Sequence, residues 1–167
     1  MKNKKIIISG PPGSGKTTII DELRNRKYIC MPEVTPKKLD LKIEKNKLIL
    51  SDFLFSERRK QYHSQNKVVC FYDRSLIDVV AYMDFWDSKY PHIWNNEITN
   101  LRYNQNVFYT PPWPEIYKKT DHRQENIKEA QQIDLFLRKA FLKYQYNIIE
   151  VPKLDVSKRV DFIINNL

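Results

Sequence analysis

Five short apolar runs punctuate a largely polar chain, at Lys5–Ser9, Tyr28–Pro32, Val68–Tyr72, Asn106–Tyr109 and Asn147–Val151. Each has the length and composition of a buried strand. The stretches between them carry apolar residues at helical spacing instead, which predicts helices over Thr17–Asn25, Ser51–Gln65, Leu76–Trp86, about Gln124–Tyr144, and Val156–Asn166. In the fourth of these, Ile127, Ala130, Ile133, Phe136, Leu137, Ala140, Phe141 and Tyr144 fall on one face, as a core-facing helix requires. Prolines at 11, 12, 32, 36, 91, 111, 112, 114 and 152 lie in the turns or at run ends, where the missing N–H costs little. Strands alternating with helices predict a parallel sheet covered by helices on its faces. No internal repeat or low-complexity tract interrupts the pattern, and one domain over residues 1–167 accounts for it.

In such a sheet, ligands bind beyond the carboxyl ends of the strands. The first of these ends carries the most specific signal in the chain. Gly10-Pro11-Pro12-Gly13-Ser14-Gly15-Lys16-Thr17 is a complete Walker A pattern, G-x-x-x-x-G-K-[ST], directly after Ile6-Ile7-Ile8 and before the helix opened by Thr17 and Thr18. Glycines let backbone N–H groups converge on phosphate oxygens, Lys16 reaches the β- and γ-phosphates, and the Thr17 hydroxyl suits Mg²⁺. The helix dipole favours the same anion. The predicted fold is therefore a P-loop NTPase: a three-layer α/β/α sandwich with a five-stranded parallel sheet and a helical lid.

Val68–Asp73 is an apolar run closed by an acid, the layout of a Walker B strand, where a carboxylate at the tip faces Mg²⁺ or the incoming hydroxyl. Arg74 beside it has the geometry to clamp an anion bidentately, and Ser75 with Asp78 suits a helix cap. Glu33, just past the second strand, suits a general base or a hydroxyl-binding group, the alternative being an ordinary loop glutamate. Arg123 stands near the start of the fourth helix, where it opposes the dipole. An anionic ligand would favour it there, as would simple solvent exposure, and lid arginines act on charge that develops in phosphoryl transfer.

Composition narrows the class further. A hydrophobic fraction of 41% with 13% aromatics argues against disorder, and no apolar run approaches the about 18 residues of a membrane span. The basic start Met1–Lys5 is followed by too short an apolar stretch for a signal peptide, so a cytoplasmic protein is expected. Cys30 and Cys70 read as reduced core thiols, and His63, His92 and His122 lack ligand spacing. Lys plus Arg outnumber Asp plus Glu by 29 to 20, a net charge of +9 that fits an anionic partner. Nucleotide phosphates, nucleic acid and anionic lipid all satisfy that charge, and Lys37, Lys38, Lys42, Lys45 and Lys47 also read as a solvated face.

Taken in order, the phosphate loop, Met31-Pro32-Glu33-Val34, Tyr72-Asp73-Arg74-Ser75-Leu76-Ile77-Asp78, Val107-Phe108 with Pro111-Pro112-Trp113, Tyr117 with Asp121-His122-Arg123, and Val151-Pro152 resemble NadR-like P-loop proteins. These are AAA-type ATPase domains related to ribosylnicotinamide kinase. The chain also resembles, more distantly, deoxynucleoside and thymidylate kinases, where an acid after the second strand and an Asp/Glu-Arg pair after the third border the acceptor pocket. The resemblance implies Gly13, Gly15, Lys16 and Thr17 for nucleotide and Mg²⁺, Glu33 and Asp73 as metal-linked or base carboxylates, and Arg74 and Arg123 as phosphate clamps. Residues 1–167 hold no counterpart of the adenylyltransferase domain fused in the bifunctional ribosylnicotinamide enzymes, so a role in NAD synthesis is not expected. The expected activity is a Mg-ATP-dependent transfer of the γ-phosphoryl group to a hydroxyl of a nucleoside-like or other small metabolite. A regulatory module binding ATP or GTP is the alternative, as is a polynucleotide 5′-kinase that stacks bases on Trp86, Tyr90, Trp94 and Trp113.

Overall fold

The computed structural model describes residues 4–36, 46–65, 68–116 and 126–167. Five strands, β1 (Lys5–Ser9), β2 (Ile29–Cys30), β3 (Cys70–Asp73), β4 (Asn106–Tyr109) and β5 (Asn147–Glu150), form one parallel sheet in the order β2-β3-β1-β4-β5. Six helices are described: α1 (Lys16–Asn25), α2 (Lys47–Ser64), α3 (Leu76–Phe85), α4 (Ile93–Asn100), α5 (Ile127–Lys143) and α6 (Val156–Asn165). This is the three-layer α/β/α arrangement that the alternation predicts.

The layers follow from residue alternation along the central strand. Ile6 and Ile8 face one core with Ile19, Ile20 and Leu23 of α1 and Val160 and Ile163 of α6. Ile7 faces the other, with Phe55 of α2, Leu76 to Met83 of α3, Trp94 of α4 and Leu137 and Phe141 of α5. Because both faces are covered, β1 is buried throughout and its middle, Ile6–Ile8, reads as an unbroken apolar run.

The register brings the strand ends level: Ile8 pairs with Asp73 and Ser9 with Tyr109. The loops after β1, β3 and β4 therefore open at one edge of the sheet.

Strand limits differ from the sequence expectation where pairing partners run out. β3 begins at Cys70, not Val68, because Lys5, the first residue of β1, pairs with Cys70. β2 keeps only Ile29 and Cys30 as an edge strand against Cys70 and Phe71. The helix α4 has no sequence-based counterpart. Its Asn95, Asn96, Thr99 and Asn100 are poor helix formers, and His92 supplies no side-chain cap. Tertiary contact holds it, chiefly through Trp94, whose ring stacks on Phe55 at 4.5 Å and 8° and on Tyr90 at 5.7 Å and 15°. Trp94 is buried, which corrects the expectation that it offers an open stacking surface.

Cys70 is buried and Cys30 half-buried, and both are free thiols. No described helix is long and apolar enough to cross a membrane. The predicted lid residue Arg123, the neighbouring Tyr117, Asp121 and His122, and Lys37, Lys38, Lys42 and Lys45 lie outside the described residues.

Candidate active site

The loop Gly10–Thr17 joins β1 to α1 and takes its shape from backbone that only glycine adopts easily. Gly10, Gly13 and Gly15 have φ of +149°, +76° and +85°. At Gly10 there is also no room, since a Cβ would overlap the carbonyl and hydroxyl of Thr110 at the end of β4. Thr110 in turn fastens the loop: its hydroxyl lies 2.6 Å from that of Ser14 and 3.1 Å from the Ser9 carbonyl, to which it donates. Pro11 and Pro12 sit at the loop's turn, and Thr17 and Thr18 are exposed on the first turn of α1.

Lys16 is buried beneath the loop, where its ammonium donates to the Pro11 carbonyl at 2.7 Å and lies 3.4 Å from the Ser14 hydroxyl. Burial pushes this ammonium down to about 7, and the Arg74 guanidinium adds to the fall, against the pull of Asp73, Asp78 and Glu33. Glu33 is exposed on the loop after β2, whereas Asp73 is buried at the tip of β3. Asp73 carries no hydrogen bond or ion pair with a described residue.

Beside Asp73 the chain turns sharply. Arg74 has φ +69°, rare for a residue with a Cβ, while its N–H donates to the Ile8 carbonyl at 3.0 Å. Its guanidinium lies 3.6 Å from an Asp78 oxygen and 5.4 Å from the centre of the Tyr82 ring. Burial opposes its charge, but Tyr82, Asp78, Asp73 and Glu33 outweigh that and raise its pKa. Ser75 and Asp78 form a reciprocal capping box on α3, with the Ser75 N–H donating to Asp78 at 2.7 Å and the Ile77 N–H to the Ser75 hydroxyl at 3.2 Å. Asp78 also accepts from the Ser9 hydroxyl at 2.5 Å, tying the cap to the end of β1.

Arg58 of α2 braces this turn from behind. It is buried, and its guanidinium donates to the Ser75 carbonyl at 3.0 Å. Sequence reasoning missed Arg58, Ser9 and Thr110, and no local pattern marks them, because each acts on a segment distant in the chain. The structure thus brings Lys16, Asp73 and Arg74 to the carboxyl ends of β1 and β3, with Glu33 just past the neighbouring β2, on the side of β1 that carries β3 and β2.

Among the described residues no group of three or more His, Cys, Asp or Glu side chains is placed to hold a metal ion. Mg²⁺ does not need one, since it takes one or two protein oxygens and completes its shell with water and phosphate. The unpartnered Asp73 carboxylate and the exposed Thr17 hydroxyl fit that demand.

Solved structures share this architecture. Deoxyadenosine kinase from M. mycoides with bound dATP aligns with a TM-score of 0.71 at 18% identity, over 97% of each chain. The YorR protein of Bacillus subtilis, in complex with phosphorylated GDP, aligns at 0.62 and 16% identity over 97% of this chain and 94% of that one. Thymidylate kinase from Candida albicans aligns at 0.57 and 17% identity, over 99% and 91%. No curated protein sequence matches the chain. These likenesses show a shared fold. The family model described as an AAA domain matches residues 5–159, and this chain belongs to that family.

Proposed function

We propose that this chain is a Mg-ATP-dependent kinase that transfers the γ-phosphoryl group to a hydroxyl of a nucleoside-like metabolite. The observation that carries the reading is a complete phosphate loop with buried Lys16, beside which Asp73 and Arg74 stand at the end of the neighbouring strand β3. A module that only bound nucleotide would not need an exposed carboxylate and a clamping guanidinium at the acceptor edge. A solved deoxyadenosine kinase of the same fold supports a nucleoside-like acceptor, as does the resemblance to ribosylnicotinamide-kinase-related proteins.

In this reading Gly10 to Thr18 wrap the donor phosphates and Lys16 neutralises charge on the β- and γ-groups. Thr17 and Asp73 would hold Mg²⁺, which when bound supplies charge neutralisation between the phosphates. Glu33 accepts the proton of the acceptor hydroxyl as its oxygen bonds to the γ-phosphorus. The bond from that phosphorus to the β–γ bridging oxygen breaks, and ADP leaves with the electron pair. Arg74, fixed by Asp78 and Tyr82, holds the acceptor, and Arg123 is assigned to the lid that meets the growing charge.

The test is consumption of ATP and GTP against a panel of nucleosides, ribosylnicotinamide, sugars and 5′-hydroxyl oligonucleotides. Strong stimulation by a nucleoside-like acceptor is expected. Slow hydrolysis indifferent to every acceptor would replace this reading with a regulatory NTPase, and stimulation by oligonucleotides alone with a polynucleotide kinase.

A further inference from the structure

The other side of the phosphate loop, toward β4 and β5, holds a cation with no role in the account above. Arg159 lies on α6, one turn after its cap residue Asp155, and is only 6% exposed. Among the described residues neither its Nε nor its Nη1 has a hydrogen-bond partner. The guanidinium rests against the phosphate loop so closely that a Cβ on Gly15 would stand 2.7 Å from Nη1. Trp113, in the loop after β4, flanks it with its ring centre 5.3 Å away. Among the described residues the acid that acts on it is Asp155, which is exposed and already paired with Lys158 at 3.1 Å.

A buried guanidinium without an anion is costly in any fold, because lost hydration is not repaid. Here the unpaired donors sit at the rim of a loop whose backbone gathers anions, on the face away from Glu33, Asp73 and Arg74. We propose that Arg159 is a nucleotide-binding residue that takes a phosphate oxygen of the donor, so that the phosphate chain is held between Lys16 below and Arg159 from α6. Trp113 stacks against the guanidinium and fixes its plane, and Gly15 leaves the room for it. This rests on the donor-phosphate reading of the loop.

The experiment measures binding of ATP and of tripolyphosphate, which carries no base or sugar, to the wild type, Arg159→Met and Arg159→Lys, together with the melting temperature of each free protein. Arg159→Met is expected to weaken both ligands about 10- to 100-fold, the range for loss of a hydrogen bond between charged groups. The free Met variant should melt at the wild-type temperature or above it, since an unpaired buried charge has been replaced by an apolar chain of similar length. Lysine should restore part of the affinity. Unchanged tripolyphosphate binding in Arg159→Met would overturn the proposal, with ATP alone weakened pointing to a contact with the base instead. A Met variant that fails to fold would overturn it too, by making the guanidinium structural. If the wild type bound neither ligand, the donor reading itself would fall, a result distinct from wild-type affinity in the variant.

Discussion

Lys16 shows how one side chain carries a testable electrostatic signature. Its folded-state pKa is about 7 against an ordinary 10.5, so between those values the unfolded chain holds more protons than the folded one. The Lys16 contribution should therefore raise the stability of the free protein as pH climbs from 7 toward 10.5, and be least favourable below 7, where both states are charged. A triphosphate reverses the balance by offering the ammonium an anion. Nucleotide binding near pH 8 should take up protons, read by calorimetry in buffers of different ionisation enthalpy, and zero uptake would contradict the buried-ammonium picture. The two cleft carboxylates should separate kinetically. Glu33→Gln should lower kcat with acceptor while sparing nucleotide affinity, and Asp73→Asn should blunt the Mg²⁺ dependence, both read from steady-state rates across Mg²⁺ concentrations. Wild-type turnover in Glu33→Gln would return Glu33 to an ordinary loop residue. The loop residues and Asp73-Arg74 were legible because each motif sits whole in a few consecutive positions. Arg58 and Arg159 were not, since a lone arginine on a helix looks solvated until the tertiary structure buries it.

At the scale of elements, the cap of α3 joins stability to the site. Ser75→Ala should cost about 0.5–2 kcal/mol, the usual loss for a helix cap. Asp78→Ala should cost more, because Ser9 and the Ser75 N–H lose their acceptor in a buried setting and Arg74 loses its anchor. Urea unfolding gives both numbers, and a fully stable Asp78→Ala would refute the brace. The alternation of runs disclosed β1 and β4 residue for residue and β5 to within one, started β3 two residues early, and placed the second too broadly, because a strand ends where its neighbour's pairing ends. The α5 boundary moved to Ile127, where Asn126 and Glu129 form a capping box that the apolar spacing alone does not locate. Helix α4 stayed hidden because its sequence disfavours a helix and tertiary contact holds it, chiefly through Trp94 and Ile98 packed inward.

For the molecule as a whole, nucleotide should act as a clamp across the sheet, stabilising the folded state by about 2.7 kcal/mol at a hundred-fold excess over Kd. Thermal melts with and without Mg-nucleotide read this directly, and Lys16→Ala should erase most of the shift while leaving the free protein folded. The strand order has a further consequence, in time rather than space. The central strand β1 is the first to be synthesised, yet its neighbours are Cys70–Asp73 and Asn106–Tyr109, and none of its own pairings is local. Until those segments emerge, Ile6-Ile7-Ile8 has no ladder to join and, of its core, only α1 to pack against. At about 5–20 residues per second, a growing chain exposes this sticky segment for seconds, a window in which chaperones or aggregation compete with folding.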